Sequence, residues 1–340
     1  MIGTMLFDLP LRADVDDPAA FARAAEAAGL DGVWSAETGH DPFLPLLPAA
    51  SATRRITLGT AVAVAFPRSP MVHAQVAWDL QRASNGRFVL GLGSQVRAHN
   101  ERRYGVPGDR PAVRMRETVR AIRAIWRSFQ EGVPLDHRGE LWTLSLLPPF
   151  FNPGPLDVPP PPIAMAGVGE PMLRVAGAEA DAVHVHPLHT ERHLDAVVRP
   201  TVRGAARAAG RDPDLIAFIV PAMIATGCTT ADVERAREGI RAQVAFYAST
   251  PSYRGVLAIE GRGETADRLH RLSVRGAWAE MAELVDDGLL DAVCTSATWD
   301  ELPVALARRY RGRASRLMPY AALDAAAWGE VAAEVRRIAA

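Results

Sequence analysis

Short apolar segments alternate along the chain with longer stretches in which apolar residues recur every three or four positions. In the first such unit, residues Ile2 to Leu9 predict a buried β-strand. Asp17 suits a helix cap, Pro18 fits a first helical turn, and Gly29 is placed to end the helix. Residues Asp31 to Ala36 then predict a second strand, so the unit is typical of β–α repeats around a parallel sheet.

The same alternation continues well beyond the first unit. It predicts eight strands, at residues 2–9, 31–36, 56–66, 87–93, 162–167, 181–186, 215–225 and 291–296. Helical patterns separate them, and no linker or internal repeat divides the chain. The predicted fold is therefore α/β, a single closed (β/α)8 TIM barrel over residues 1–340.

Two segments interrupt this rhythm and are interpreted as insertions into the barrel. Residues 132–162 are rich in proline, which excludes a long helix, and they contain a possible hairpin around His137 to Leu146. Residues 247–277 predict an irregular segment. In contrast, Trp34, Trp78, Trp126 and Trp278 lie in helical or strand patterns that predict packing in the core.

Charge and composition narrow the possible functions. The chain has 340 residues, 49% hydrophobic positions and a formal net charge of −1, so it carries no electrostatic footprint for nucleic acid or an anionic membrane. All 38 cationic residues are arginine, which excludes a Schiff-base lysine and a phosphate-loop lysine. The expected partner is a small-molecule substrate.

The cysteines and the apolar runs indicate a cytoplasmic protein. Cys228 and Cys294 match neither a disulfide framework nor a metal-binding spacing. Residues Met1 to Asp14 do not have the pattern of an export signal. The apolar run from Leu215 to Thr226 is broken by proline and is too short to cross a bilayer.

Chemistry in such a barrel is expected at the carboxyl ends of the strands. Glu37 and His40 follow the second strand and combine a carboxylate with an imidazole suited to acid–base work, although both also fit an ordinary surface loop. Ser94 and Gln95 follow the glycines that end the fourth strand, where a planar heterocycle or a polyol chain could lie. His99 and Tyr104 come shortly after them.

The fifth and sixth strands offer two further candidates. Gly167, Val168 and Gly169 run directly into a predicted helix, which suits an anion or phosphate, although a plain helix entry has the same pattern. His184, His186 and His189 follow or lie within the sixth strand. They lack an acidic or cysteine partner nearby in sequence, so we expect no metal site and interpret one of these histidines as lining the pocket.

Taken together, these segments resemble the bacterial luciferase-like family, and within it the actinobacterial branch that uses the deazaflavin coenzyme F420. The resemblance covers nearly the whole chain, including the stretch from Phe246 to Leu290. The matching segments are Ala24–Gly32, Glu37–Phe43, Leu58–Val62 and Gly86–Tyr104.

The resemblance implies roles for several residues. A non-prolyl cis peptide behind the cofactor ring would fall on Ala61 and Val62, Ser94 and Gln95 would touch the ring or its side chain, and Gly167 to Gly169 would hold the phosphate. Acid–base residues of the family map onto Glu37 and His40, with His99 and His186 as further candidates. His99, Tyr104 and His186 are assigned to the substrate side.

The function implied is an oxidoreductase that transfers hydride between coenzyme F420 and a small organic substrate. The alternatives are an FMN-dependent two-component monooxygenase, a flavin-binding paralogue without catalysis, and a phosphate-binding barrel isomerase. The paralogue is kept open by Val96, where a sugar-phosphate dehydrogenase of the superfamily has a catalytic glutamate, and by Ala297 in place of the glycine of a common Gly-Thr-Pro. The family also suggests a homodimer.

Overall fold

Eight parallel strands close into a barrel in the computed structural model, which describes residues 5–11, 16–321 and 323–339. Each strand pairs with its neighbours in chain order, and the last pairs with both the first and the seventh, which closes the ring. The (β/α)8 barrel is confirmed. Its strands are β1 (Leu6–Leu11), β2 (Gly32–Ser35), β3 (Thr57–Thr60), β4 (Phe88–Gly93), β5 (Ile163–Gly167), β6 (Ala182–Val185), β7 (Ala217–Gly227) and β8 (Arg316–Tyr320).

The eighth strand is not where the sequence predicted it, so the prediction at residues 291–296 is wrong. That segment contains the end of a helix and the start of the strand Cys294–Thr298, which pairs with the carboxyl-terminal half of β7. Arg316 and Pro319 interrupt the apolar pattern of the true β8. Arg316 is accommodated there because its guanidinium makes two hydrogen bonds, of 2.7 and 2.6 Å, to the fully buried carboxylate of Asp8.

Helices connect and cover these strands. Those of the described residues are α1 (Pro18–Ala27), α2 (Leu46–Ala52), α3 (Pro70–Ala83), α4 (Arg97–Arg102), α5 (Pro111–Glu131), α6 (Glu170–Glu179), α7 (Glu191–His193), α8 (Arg199–Ala208), α9 (Thr230–Ala248), α10 (Arg254–Ala258), α11 (Gly263–Val274), α12 (Trp278–Glu283), α13 (Asp287–Val293), α14 (Leu302–Tyr310) and α15 (Ala325–Ala339). None of them is long and apolar enough to cross a membrane.

Local sequence explains several of the helix boundaries. The Asp17 carboxylate accepts a hydrogen bond of 2.9 Å from the Ala20 amide, and Pro18 occupies the first turn of α1. Gly29 follows α1 with a φ of 75°, a left-handed conformation that favours glycine. These features were predicted from the sequence, and they set the start of β2 at the correct place.

The two insertions turn out differently. The predicted hairpin is present, with His137–Arg138 paired to Thr143–Leu144. The Glu117 carboxylate of α5 accepts hydrogen bonds from the Leu141 and Trp142 amides in the hairpin turn. The prediction of an irregular segment at 247–277 is wrong, because α10 and α11 occupy much of it. α10 has five residues, too few to show a helical period in the sequence, and both helices gain stability by burying Val256, Leu257 and Leu269.

Three buried clusters hold the described residues together. The largest lies between the barrel and its surrounding helices and contains Trp78 and Trp126, as predicted. The second joins Met223 and Ala225 of β7 to apolar residues of α9, α10, α11 and α13. A small third one contains Trp34, which is buried as predicted, together with Ala164, Ala182, Ile219 and Met318. Trp278 was also predicted to be in the core, but its side chain is 56% exposed, so that prediction is wrong. The second cluster places helices beside the carboxyl end of β7, where the candidate site begins.

Candidate functional site

A floor of small side chains connects the carboxyl ends of β3, β4 and β5. Gly93 ends β4, and a Cβ atom added to it would lie 2.4 Å from Cγ2 of Val62 and 3.8 Å from Cβ of Ala166. The peptide bond between Ala61 and Val62 is cis. Only small groups therefore meet where these three strands end, which leaves a surface that a flat ring could cover.

Below this floor, the Thr60 hydroxyl adds a side-chain link between the paired strands β3 and β4. The Thr60 hydroxyl donates to the Gly91 carbonyl over 2.6 Å and accepts from the Gly91 amide over 2.9 Å. A Cβ at Gly91 would lie 1.8 Å from the Thr60 carbonyl oxygen, so no side chain fits there. The ring of His184 lies nearby and is edge-on to Trp34, with 5.0 Å between the ring centroids. Burial lowers the pKa of His184 to about 3. His184 is therefore a neutral, structural residue.

The predicted cofactor residues Ser94 and Gln95 form the turn that follows β4. Gln95 has a φ of 57°, and its side-chain oxygen accepts a hydrogen bond of 2.9 Å from the Val96 amide. The buried Asn100 side chain donates to the Ser94 carbonyl over 2.9 Å. These bonds fix the backbone of the turn, in which Ser94 is half-buried.

Glu37 is held on both of its oxygens. One oxygen accepts from the Val64 amide over 2.8 Å and from the Arg68 guanidinium over 2.7 Å, and the other accepts from the Tyr104 hydroxyl over 3.2 Å. Arg68 also binds Asp41 over 2.9 Å. Burial and the neighbouring Glu37 raise the pKa of the Tyr104 hydroxyl, so it acts only as a donor here.

The other proposed acid–base residues are placed differently from Glu37. His40 is exposed in the loop after β2, and His99 is exposed on α4. Within the described residues, neither imidazole ring forms a hydrogen bond, although the His99 backbone is bonded within and after α4. The structure thus joins Glu37 to Tyr104 and leaves the two histidine rings exposed to solvent.

The predicted phosphate-binding residues lie at the start of α6. Gly169 is the cap residue of this ten-residue helix and no side chain caps it. A Cβ at Gly169 would meet only Pro171, at 3.8 Å, so the approach to this terminus is open. Glu170 binds Arg174 over 2.5 Å, which directs its carboxylate along the helix and away from Gly169. An anion could therefore approach the terminus without meeting that charge.

The three histidines near β6 do not converge. His186 packs against Tyr253 at 4.2 Å and Tyr247 at 4.9 Å between ring centroids, and burial lowers its pKa to about 3. His189 instead contacts the hydroxyl of Tyr310 through Nε2 at 3.3 Å. Within the part of the chain that is described, no group of three histidine, cysteine or acidic side chains could hold a metal ion.

The sequence did not single out Arg68 or the tyrosines beside His186. Arg68 stands between two prolines after β3, a position at the carboxyl end of a strand that could have marked it. Tyr247 and Tyr253 lie in the insertion predicted to be irregular, and Tyr320 ends the strand that was misplaced. The hydroxyl groups of Tyr247 and Tyr320 are hydrogen-bonded to each other.

The arrangement can be compared with known proteins. The family model for luciferase-like monooxygenases matches residues 7–316. An uncharacterized protein of Mycobacterium tuberculosis is 45% identical over 316 residues, which cover 91% of this chain and 93% of the relative. Both matches span the floor residues, the ion pair of Glu37 with Arg68 (here termed the Glu37 pair) and the start of α6.

Solved structures share the fold at low sequence identity. The coenzyme F420 dependent tetrahydromethanopterin reductase from Methanopyrus kandleri has a TM-score of 0.78 and 20% identity, with 99% of each chain covered. The EDTA monooxygenase from Chelativorans sp. BNC1 has a TM-score of 0.75 and 18% identity, with 99% of this chain and 93% of that chain covered. At these identities the likeness establishes the barrel architecture.

Proposed function

The chain belongs to the luciferase-like monooxygenase family, and from that premise we propose that it is a coenzyme F420-dependent oxidoreductase acting on a small organic substrate. The observation that carries the proposal is the position of Gly93 between Val62 and Ala166. A floor of this kind accepts a planar tricyclic ring, because no side chain rises from the end of β4. Gly167 and Gly169, on the next strand and its helix, would take the anionic tail.

The residues present fit a deazaflavin. Ala61, Val62 and Gly93 would lie against the ring, Ser94 and Gln95 along its edge, and the uncapped start of α6 near the tail. When bound, the deazaflavin supplies a hydride equivalent without activating oxygen. Val168 packs partly buried against the second cluster, which fixes the loop that approaches the tail.

The protein's own task is then to orient the substrate and to move a proton. His40 is the candidate proton carrier, because its ring is exposed and unconstrained by hydrogen bonds in the described residues. Glu37 has both oxygens engaged, so it acts as a positioning residue that fixes Arg68 and the Tyr104 hydroxyl. His99 and His186 remain secondary candidates on the substrate side.

A direct titration of the purified protein tests the cofactor. We expect coenzyme F420 to bind with quenching of its fluorescence, and FMN to bind at least tenfold more weakly. Tight FMN binding without a response to coenzyme F420 would favour the second candidate, a monooxygenase that uses reduced FMN and oxygen. The nearly equal fold likeness to the EDTA monooxygenase supports retaining that candidate. Binding of neither cofactor would overturn both.

A further inference from the structure

A row of aromatic rings extends from an exposed helix to the barrel mouth. Centroid distances are 6.2 Å from Trp278 to Phe246, 5.6 Å from Phe246 to Tyr247, and 4.9 Å from Tyr247 to His186. His186 then contacts Tyr253 at 4.2 Å. The first three separations lie in the range of favourable ring–ring contacts, and the fourth pair is closer still, so the rings form one chain of contacts, here termed the aromatic row.

The inner end of the aromatic row lies at the barrel mouth. His186 immediately follows β6, and Tyr320 is the last residue of β8. Tyr320 packs with Tyr247 at 6.3 Å and shares a hydrogen bond with its hydroxyl. Val168, from the loop before α6, packs on the same second cluster as these tyrosines. The row therefore ends beside the loop assigned to the cofactor tail.

The outer end of the aromatic row is accessible to solvent. Trp278 is 56% exposed and Phe246 is 54% exposed, although both are large and apolar. Phe150 and Phe151 form another exposed aromatic pair, so exposure alone does not distinguish this site. Trp278 and Phe246 differ because their ring contacts continue inward to the barrel mouth, so a ligand could move along them.

The aromatic row has no formal charge at neutral pH. Burial keeps His186 in its neutral form, and it also raises the pKa of Tyr247 and Tyr253. The polar groups at the inner end are the paired hydroxyls of Tyr247 and Tyr320 and the Gln243 side chain beside Tyr247. A carboxylate or phosphate would lose hydration there without gaining a cation, whereas one carbonyl or hydroxyl group could share the tyrosine hydrogen bonds.

We propose that the aromatic row is the substrate-binding surface, and that it selects an uncharged aromatic molecule whose single carbonyl or hydroxyl group reaches Tyr247 and Tyr320. This inference rests on the proposed function, since it takes that molecule as the oxidoreductase substrate. It assigns Trp278 and Phe246 to contact with the aromatic part of that molecule and the two tyrosines to recognition of its polar end.

Calorimetry with three naphthalene probes tests the proposal. The full-length protein is titrated with 2-acetylnaphthalene, with 2-ethylnaphthalene, and with 2-naphthoate. We expect the ketone to bind at least tenfold more tightly than the carboxylate. Trp278→Ala and Phe246→Ala should each weaken ketone binding roughly five- to tenfold. Phe150→Ala is the matched control, since Phe150 is 90% exposed on the 132–162 insertion, and it should change binding less than twofold.

The polar end is tested separately. Tyr247→Phe and Tyr320→Phe should abolish most of the preference for 2-acetylnaphthalene over 2-ethylnaphthalene while ring binding persists. Equal binding of ketone and carboxylate, undiminished binding to Trp278→Ala, or no probe binding would overturn the proposal. Each titration is repeated with coenzyme F420 or FMN present. If FMN binds, coenzyme F420 does not, and the ketone still binds in a way that depends on Trp278 and Phe246, this inference stands and the proposed cofactor is wrong. If coenzyme F420 binds and no probe does, this inference alone is wrong.

Discussion

The Arg68 guanidinium lies 2.7 Å from the Glu37 carboxylate, and this pair joins the loop after β2 to the segment between β3 and α3. The Glu37 side chain is 7% exposed and that of Arg68 is 19% exposed. Two charged groups this far from water stabilise the fold only while both are present. The two residues are 31 positions apart in the chain, and the pairing of β2 with β3 brings them together.

Arg68→Ala should therefore reduce the free energy of unfolding by about 3 kcal/mol, because it leaves Glu37 buried and without its cation. Urea denaturation monitored by circular dichroism measures the change. Arg97→Ala is the control: Arg97 binds Glu101 over 2.6 Å but is 72% exposed, so its loss should cost less than about 0.5 kcal/mol. Equal losses in the two variants would contradict the view that burial of the Glu37 pair matters.

Buried neutral histidines predict how stability depends on pH. The pKa of His184 is lowered to about 3 in the folded chain, against about 6.5 when unfolded. The unfolded state thus binds more protons between these values, so stability is retained above about pH 6.5 and is lost as pH falls. One such histidine should cost about 2 kcal/mol between about pH 7 and about pH 5. His184→Gln should remove that loss, whereas exposed His40→Gln should leave it unchanged.

Much of the barrel could be predicted because its signals are local. A cap such as Asp17 and a following glycine such as Gly29 act within a few residues, so they are visible in the sequence. The eighth strand was missed because Arg316 is neutralised by Asp8, a partner 308 positions away. A charge inside a strand makes sense only once that distant contact is known.

The candidate site was predictable in position more than in contacts. The carboxyl ends of β3, β4 and β5 were expected to meet, and they do so around Gly93. The partners of Glu37, and the contact of His186 with Tyr247 and Tyr253, join segments that lie far apart in the chain. Such contacts are set by tertiary packing, which one sequence does not reveal.

The close approach at Gly93 gives a prediction with a suppressor. Gly93→Ala would place a methyl group 2.4 Å from Cγ2 of Val62, and overpacking of this kind costs about 1–3 kcal/mol. Both thermal stability and cofactor affinity should fall. The double variant Gly93→Ala with Val62→Ala should recover most of each loss, because it removes the conflicting methyl groups. Gly39→Ala, where nothing lies within 4 Å of the new Cβ, serves as the control.

Turnover measurements should separate the roles of His40 and Glu37. His40→Gln removes an exposed imidazole, so the free energy of unfolding should be unchanged and cofactor affinity should change less than about twofold. In contrast, kcat should fall at least roughly 100-fold, the usual contribution of a general acid or base. Glu37→Gln should change stability and KM together, since it weakens the hold on Arg68 and Tyr104. A matched His99→Gln variant tests whether any exposed histidine near the mouth has the same effect. Full activity in His40→Gln would eliminate it as the proton carrier, and full activity in all three variants would require a proton donor outside the loops that follow β2 and β4.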